Sequence, residues 1–188
     1  MIKIYYTTPE REGVEQIRPM LSLGGYRASN TVPNDEFGNL FGEITKLSVD
    51  KNKDEYRALV IKNEGSDPLV NVKLWFTYPE KSYSKFLIAA VQMSLDENNE
   101  LVMEHVNTIY SRPMYAEFFE VNEEIDAVTI GNMAVGAQVG IWLKRVLNID
   151  VITEDQNSNL QYDEQTKLYK EIPLETSETI GLVIDWQD

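Results

Sequence analysis

Asp54-Glu55-Tyr56-Arg57-Ala58-Leu59-Val60-Ile61-Lys62, then Asn63-Glu64-Gly65-Ser66-Asp67-Pro68, then Leu69-Val70-Asn71-Val72-Lys73-Leu74-Trp75-Phe76 is the stretch that carries the fold assignment. In the first part Tyr56, Ala58 and Val60 fall on one face of an extended chain, and Arg57, Leu59 and Ile61 on the other. In the last part Val70, Val72, Leu74 and Phe76 recur at period two, opposed by Asn71, Lys73 and Trp75. The polar Asn-Glu-Gly-Ser-Asp-Pro run between them has turn chemistry, so the whole reads as a strand–turn–strand pair.

On the N-terminal side, residues 2–6 read as a short strand, and Pro9 and Gly13 interrupt the chain after it. Gly24-Gly25 marks a turn. Residues 30–42, with three Asn, two Gly and a Pro, form a loop that Phe37, Leu40 and Phe41 anchor to the core. Toward the C-terminus, residues 83–93 form a strand whose apolar content implies cover on both faces. Asp96-Glu97-Asn98-Asn99 is a turn, after which 101–103 resumes pairing. Residues 114–121 and 125–130 are expected as strands, 138–146 as a strong core strand, and 179–186 as the last one. Helix signals are confined to 9–20 and 161–170, at most a turn or two each, without convincing caps. Many short strands separated by turn signals predict an all-β sandwich or barrel. The acidic, polar segment 148–178 stands outside the pattern and reads as a long hairpin or loop.

Composition narrows the function classes. With 31 acidic residues against 17 basic ones, the chain carries a formal charge of −14. Such a surface repels phosphate and anionic lipid, so no direct sequence-specific nucleic-acid binding and no membrane partner is expected, though a negative lining would let DNA pass without sticking. Met1-Ile2-Lys3-Ile4-Tyr5-Tyr6 lacks the apolar core of a signal peptide, and no run approaches the ~20 apolar residues of a membrane helix. The absence of cysteine removes disulfides, thiol nucleophiles and thiolate metal sites together.

The chemistry-bearing residues point the same way. His105 is the only histidine, which excludes a Ser-His-Asp triad and any two-histidine metal site. Glu117 and Glu120 flank Phe118 and Phe119, and Asp185 precedes Trp186. Among 31 acids such neighbours arise by chance, and a solvated face is the expected role. Asp50 through Glu55 lacks the turn glycine and distal glutamate of a calcium loop. Gly24-Gly25 and Gly131–Gly136 precede no Gly-Lys-Ser/Thr and are not phosphate loops. No catalytic residue, cofactor or metal is therefore assigned, and the chain is expected not to be an enzyme.

Leu21-Ser22-Leu23-Gly24-Gly25-Tyr26 through Val32-Pro33-Asn34, Asn39-Leu40-Phe41-Gly42, Glu55-Tyr56-Arg57 with Lys62-Asn63, and Leu69-Val70-Asn71-Val72-Lys73-Leu74-Trp75 resemble virion structural proteins of tailed bacteriophages, including crAss-like phages of gut bacteria. Gly136 followed by Ile141-Trp142-Leu143-Lys144-Arg145 extends the resemblance, which covers roughly residues 20–92 and 127–147. It implies an immunoglobulin-like β-sandwich over 21–188, with an N-terminal arm at 1–20 and an insertion at 148–178. Read physically, the same motifs put Tyr56 and Trp75 at inward or half-buried strand positions and pair Arg57 with a neighbouring carboxylate. The function so implied is that of a neck or connector ring protein, or a capsid-associated component, assembling with itself and with other virion proteins. Synthesis would be in the host cytoplasm and the final location the virion. The alternative is a carbohydrate- or cell-surface-binding module, which needs Trp75 or Trp186 in solvent. Partner contacts are expected at Ile4, Tyr5 and Tyr6 in the arm, and at Val151, Tyr162, Leu168, Tyr169 and Ile172 in the insertion. Residues 93–126 lie outside the resemblance and are also expected to carry lineage-specific contacts.

Overall fold

A computed structural model describes residues 1–33, 38–41, 53–77, 82–148, 160–163, 168–171 and 181–187. In chain order the strands are β1 (Ile2–Thr8), β2 (Gly25–Thr31), β3 (Glu55–Asn63), β4 (Leu69–Thr77), β5 (Ser84–Val91), β6 (Ser94–Leu95) and β7 (Leu101–Met103). They continue with β8 (Phe119–Glu120), β9 (Val128–Met133), β10 (Gln138–Leu147), β11 (Leu160–Asp163), β12 (Leu168–Glu171) and β13 (Gly181–Gln187). Among the described residues, helix is limited to one turn, α1 (Gly38–Phe41), and 3-10 turns at Pro19–Leu21 and Glu124–Asp126. The protein is all-β, with curled antiparallel sheets.

Eight strands form one sheet in the order β6-β7-β2-β1-β3-β10-β5-β8, and β13-β4-β9 form a second. The pair β11-β12 stands as a third, two-stranded sheet. β3 and β10 lie at the middle of the large sheet, with Trp142 opposite Ala58 on one side and Ala89 on the other. Their apolar runs follow from burial on both faces. Leu59 and Ile61 of β3, with Ile141 and Leu143 of β10, belong to a core shared with Leu69, Val72, Leu74, Phe76 and Met133 of the small sheet. On the opposite face, Tyr56, Ala58, Val60 and Trp142 form a second core with Leu23, Met103, Val106 and Ala116. The two faces of β3 are thus those its alternation predicts, and Leu40 and Phe41 are buried in the first core as expected. Phe37 lies outside the described residues.

Four expectations need correction. β3 and β4 are consecutive but belong to different sheets, so they are not a hairpin. The reason is Asn63, which is fully buried. Its amide donates to the carbonyls of Asp67, Met133 and Ala134 at 2.9, 3.2 and 3.3 Å, and its Oδ1 accepts from Gly65 N–H at 2.9 Å. These bonds tie the turn to the end of β9 and carry the chain across to the second sheet. Within β4, Leu69 is buried and Val70 is exposed. Asn71 adopts φ 53°, and the register with β9 shifts between Leu69 and Val72, so the alternation reverses at that bulge. Third, residues 114–121 form only the two-residue β8, because Pro113 and the turn after it break the ladder. Fourth, residues 9–20 contain only the start of the 3-10 turn Pro19–Leu21, and the thin helix signal at 161–170 gives way to the antiparallel pair β11–β12, in keeping with the hairpin expected for 148–178.

The N-terminal segment is not a separate arm. β1 is inserted between β2 and β3, pairing Ile2 through Tyr6 with Asn63 through Leu59. Beyond Tyr6 the strand parts from β3, and Ser22 O accepts Ala58 N–H at 2.7 Å in its place. Ser22 Oγ accepts the Thr7 N–H at 2.8 Å and donates to Ala58 O at 2.6 Å. The polar groups named at this parting are all partnered, as burial requires.

Candidate functional site

Two groups of charged side chains organise the interior and its rim. Arg57 and Arg145, from neighbouring central strands, project into the end of the first core, where both are buried. Arg57 Nε donates to Leu40 O at 2.7 Å and a terminal nitrogen of Arg145 to Phe41 O at 3.1 Å. A helix leaves its last carbonyls without intrahelical partners, and here the guanidinium groups supply them to α1. The Phe41 ring lies 5.0 and 5.2 Å from the two guanidinium carbons. Glu55 neutralises part of this charge, 2.8 Å from Arg145 and 3.7 Å from Arg57. Arg57 does have a carboxylate neighbour, two residues away on its own strand. Burial pushes the Arg57 guanidinium down to about 10 and lowers Arg145 as well. The cluster fastens the loop bearing Leu40 and Phe41 to the sheet.

At the other end of β3, Glu64 collects Tyr5 Oη at 2.6 Å, Lys3 Nζ at 2.9 Å and Lys62 Nζ at 3.3 Å. The Tyr5 hydroxyl, then Lys3, hold its carboxyl down at about 2. Asp96 accepts N–H groups from Asn98 and Glu100 at 2.9 and 2.8 Å and the Tyr26 hydroxyl at 2.9 Å. That carboxylate closes the β6–β7 turn, and the Glu100 N–H leads in holding it below the ordinary range. Among the described residues no three or more of His, Asp and Glu are grouped to hold a metal ion. His105 is exposed, on the segment that packs against Gly24.

The expected contact residues distribute unevenly. Tyr5 and Tyr6 are 5% and 4% exposed, spent on the two cores and on Glu64, and only Ile4 of that trio is half-buried. Their apolar character reflects β1's place inside the sheet, so they do not form a free surface. Val151 and Ile172 lie outside the described residues. Tyr162 of β11 is register partner to Tyr169 of β12, and Asp163 to Leu168, so the structure does bring three of the insertion's residues into one hairpin.

A run of strongly exposed, large apolar side chains lies elsewhere. Met114 and Tyr115 are 76% and 82% exposed, and Phe119 and Ile125 are exposed on the same connection between β7 and β9. The residues either side of the Met114-Tyr115 turn point inward. Pro113 and Ala116 are buried, and the Phe118 ring packs 5.5 Å from that of Tyr56. Glu104 holds the turn itself, its carboxylate accepting the N–H of Met114 at 2.9 Å through each oxygen and that of Tyr115 at 3.3 Å. The segment carrying Glu104 is in turn seated against the residues just before β2. Gly24, at φ 93°, lies so close to Glu104 O that no side chain would fit, and Val106 N–H donates to Leu23 O at 2.9 Å. The sequence by itself reads as a strand here. The signal that distinguishes the turn is Arg112-Pro113, since proline cannot donate within a ladder. No family model matches the chain, and no curated protein or solved structure matches it.

Proposed function

We propose that this chain is a non-enzymatic structural protein of a tailed-phage virion, a neck or connector component or a capsid-associated one, built on an immunoglobulin-like β-sandwich and acting by protein–protein assembly. The observation that carries the reading is where the phage-like motifs fall. Glu55-Tyr56-Arg57, Val72-Lys73-Leu74-Trp75 and Ile141-Trp142-Leu143-Lys144-Arg145 lie on β3, β4 and β10, strands of two sheets that share one core. Two sheets meeting through one core is the layering a sandwich requires. The charged clusters serve loop attachment and strand ends, and exposed apolar residues are left over for contacts. The sugar-binding alternative is less well supported, because Trp75 and Trp186 both pack against the first core and Trp142 is buried.

Mass spectrometry of density-gradient-purified particles from the culture that produces the protein tests this. The chain is expected in the particle fraction at several copies per particle. Its recovery only from the particle-free fraction would overturn the reading.

A further inference from the structure

We propose that the Met114-Tyr115 turn is a preorganised docking knob for a different protein, one that offers an apolar pocket rimmed by lysine and arginine. Three observations carry this. Two adjacent large apolar side chains stand in solvent, although the residues flanking them are buried and hold the turn in place. A chain that merely needed a turn here would satisfy it with small polar residues. Second, the turn's backbone is held by the Glu104 carboxylate, and the segment carrying Glu104 is seated just before β2, with Glu104 O close against Gly24 and Val106 N–H bonded to Leu23 O. A turn already fixed loses little conformational entropy on binding, and a rigid Tyr beside a Met is the kind of anchor that dominates interface energetics.

The third observation selects the partner. Between residues 104 and 126 there are six carboxylates, Glu104, Glu117, Glu120, Glu123, Glu124 and Asp126, against the single arginine Arg112. All of them except Glu104 are exposed, and two have lysine neighbours from other strands, Lys85 3.7 Å from Glu120 and Lys73 3.9 Å from Glu124. An apolar tip on an acidic segment of a chain at −14 is complementary to an apolar pocket with a basic rim. A second copy of this chain, at −14, meets it with like charge, and so do nucleic acid and anionic lipid. The knob is a protein-binding surface wherever the chain resides, so it does not rest on the virion reading.

The test is photo-crosslinking of the full chain in the cells that make it, with p-benzoylphenylalanine at position 115 and, as control, at exposed Val135. The expected result is a position-115-specific adduct to one protein, joined at an apolar site flanked by Lys and Arg. That protein, once purified, is expected to bind Met114→Ser/Tyr115→Ser at least about tenfold more weakly than wild type. Its affinity is expected to fall as NaCl rises from about 0.05 to about 0.5 M, on the order of severalfold. Glu104→Gln, which weakens the hold on the turn and leaves the tip side chains in place, is expected to lose affinity with an unchanged urea midpoint. An adduct to a second copy, to lipid or to an acidic site overturns the proposal, as does an adduct pattern no different from that at position 135. A specific partner that is not a virion protein would leave the knob standing and remove the phage assignment.

Discussion

Trp142 sits between Ala58 and Ala89 on the second face of the large sheet and is 1% exposed. The two alanines are what make room for the indole, and neither is long enough to fill the cavity left by Trp142→Ala. A loss of about 3–5 kcal/mol is expected, read as a drop in the urea midpoint. An unchanged midpoint would mean that the site collapses freely. Glu64 makes a prediction of a different kind. Its folded pKa, about 2, is depressed from the ordinary 4.5 by Tyr5 and Lys3. It therefore adds stability that is fully present above pH 4.5 and is lost as pH falls toward 2. The stability gap between wild type and Glu64→Gln is expected to close over that window in urea titrations. A gap that stayed constant with pH would assign the variant's cost to packing alone.

At the scale of elements, β4 shows how one residue resets a strand. Asn71 at φ 53° occupies the left-handed region, which asparagine and glycine tolerate and β-branched residues do not. Its N–H is received by Asn132 Oδ1 at 3.0 Å, fixing the bulge against β9. Asn71→Gly is expected to change stability by less than about 0.5 kcal/mol, and Asn71→Val to cost about 1–3 kcal/mol. Equal thermal midpoints for the two variants would show that the bulge does not constrain β4. The same bulge explains why Leu69, and not Val70, reaches the core. The alternation of Val70, Val72, Leu74 and Phe76 is legible in the sequence, but the reversal at Asn71 depends on where β9 docks.

For the whole molecule, the central pairings join segments far apart in the chain: Trp142 with Ala58, Leu182 with Phe76, Tyr26 with Val102. Closing such loops must precede the contacts that stabilise them, so refolding is expected in the millisecond-to-second range by stopped-flow fluorescence. Submillisecond refolding would contradict the topology. The all-β class, the two-faced burial of β3, the strength of β10 and the anchoring by Leu40 and Phe41 were determined by the sequence itself. They rest on period-two alternation and on long apolar runs, which are local properties of the chain. The parting of β3 and β4 into different sheets, and the place of β1 inside one of them, come from long-range contacts instead. So do the convergence of Arg57 and Arg145 on one helical turn and the exposure of Met114 and Tyr115. Each of these depends on which distant segment supplies a hydrogen-bond partner: Asn63 reaching Met133, Ser22 replacing β1 beside Ala58, Glu104 holding Met114 from across a loop. Alternation tells a residue which side of a strand it occupies, and it carries no information about what will cover that side.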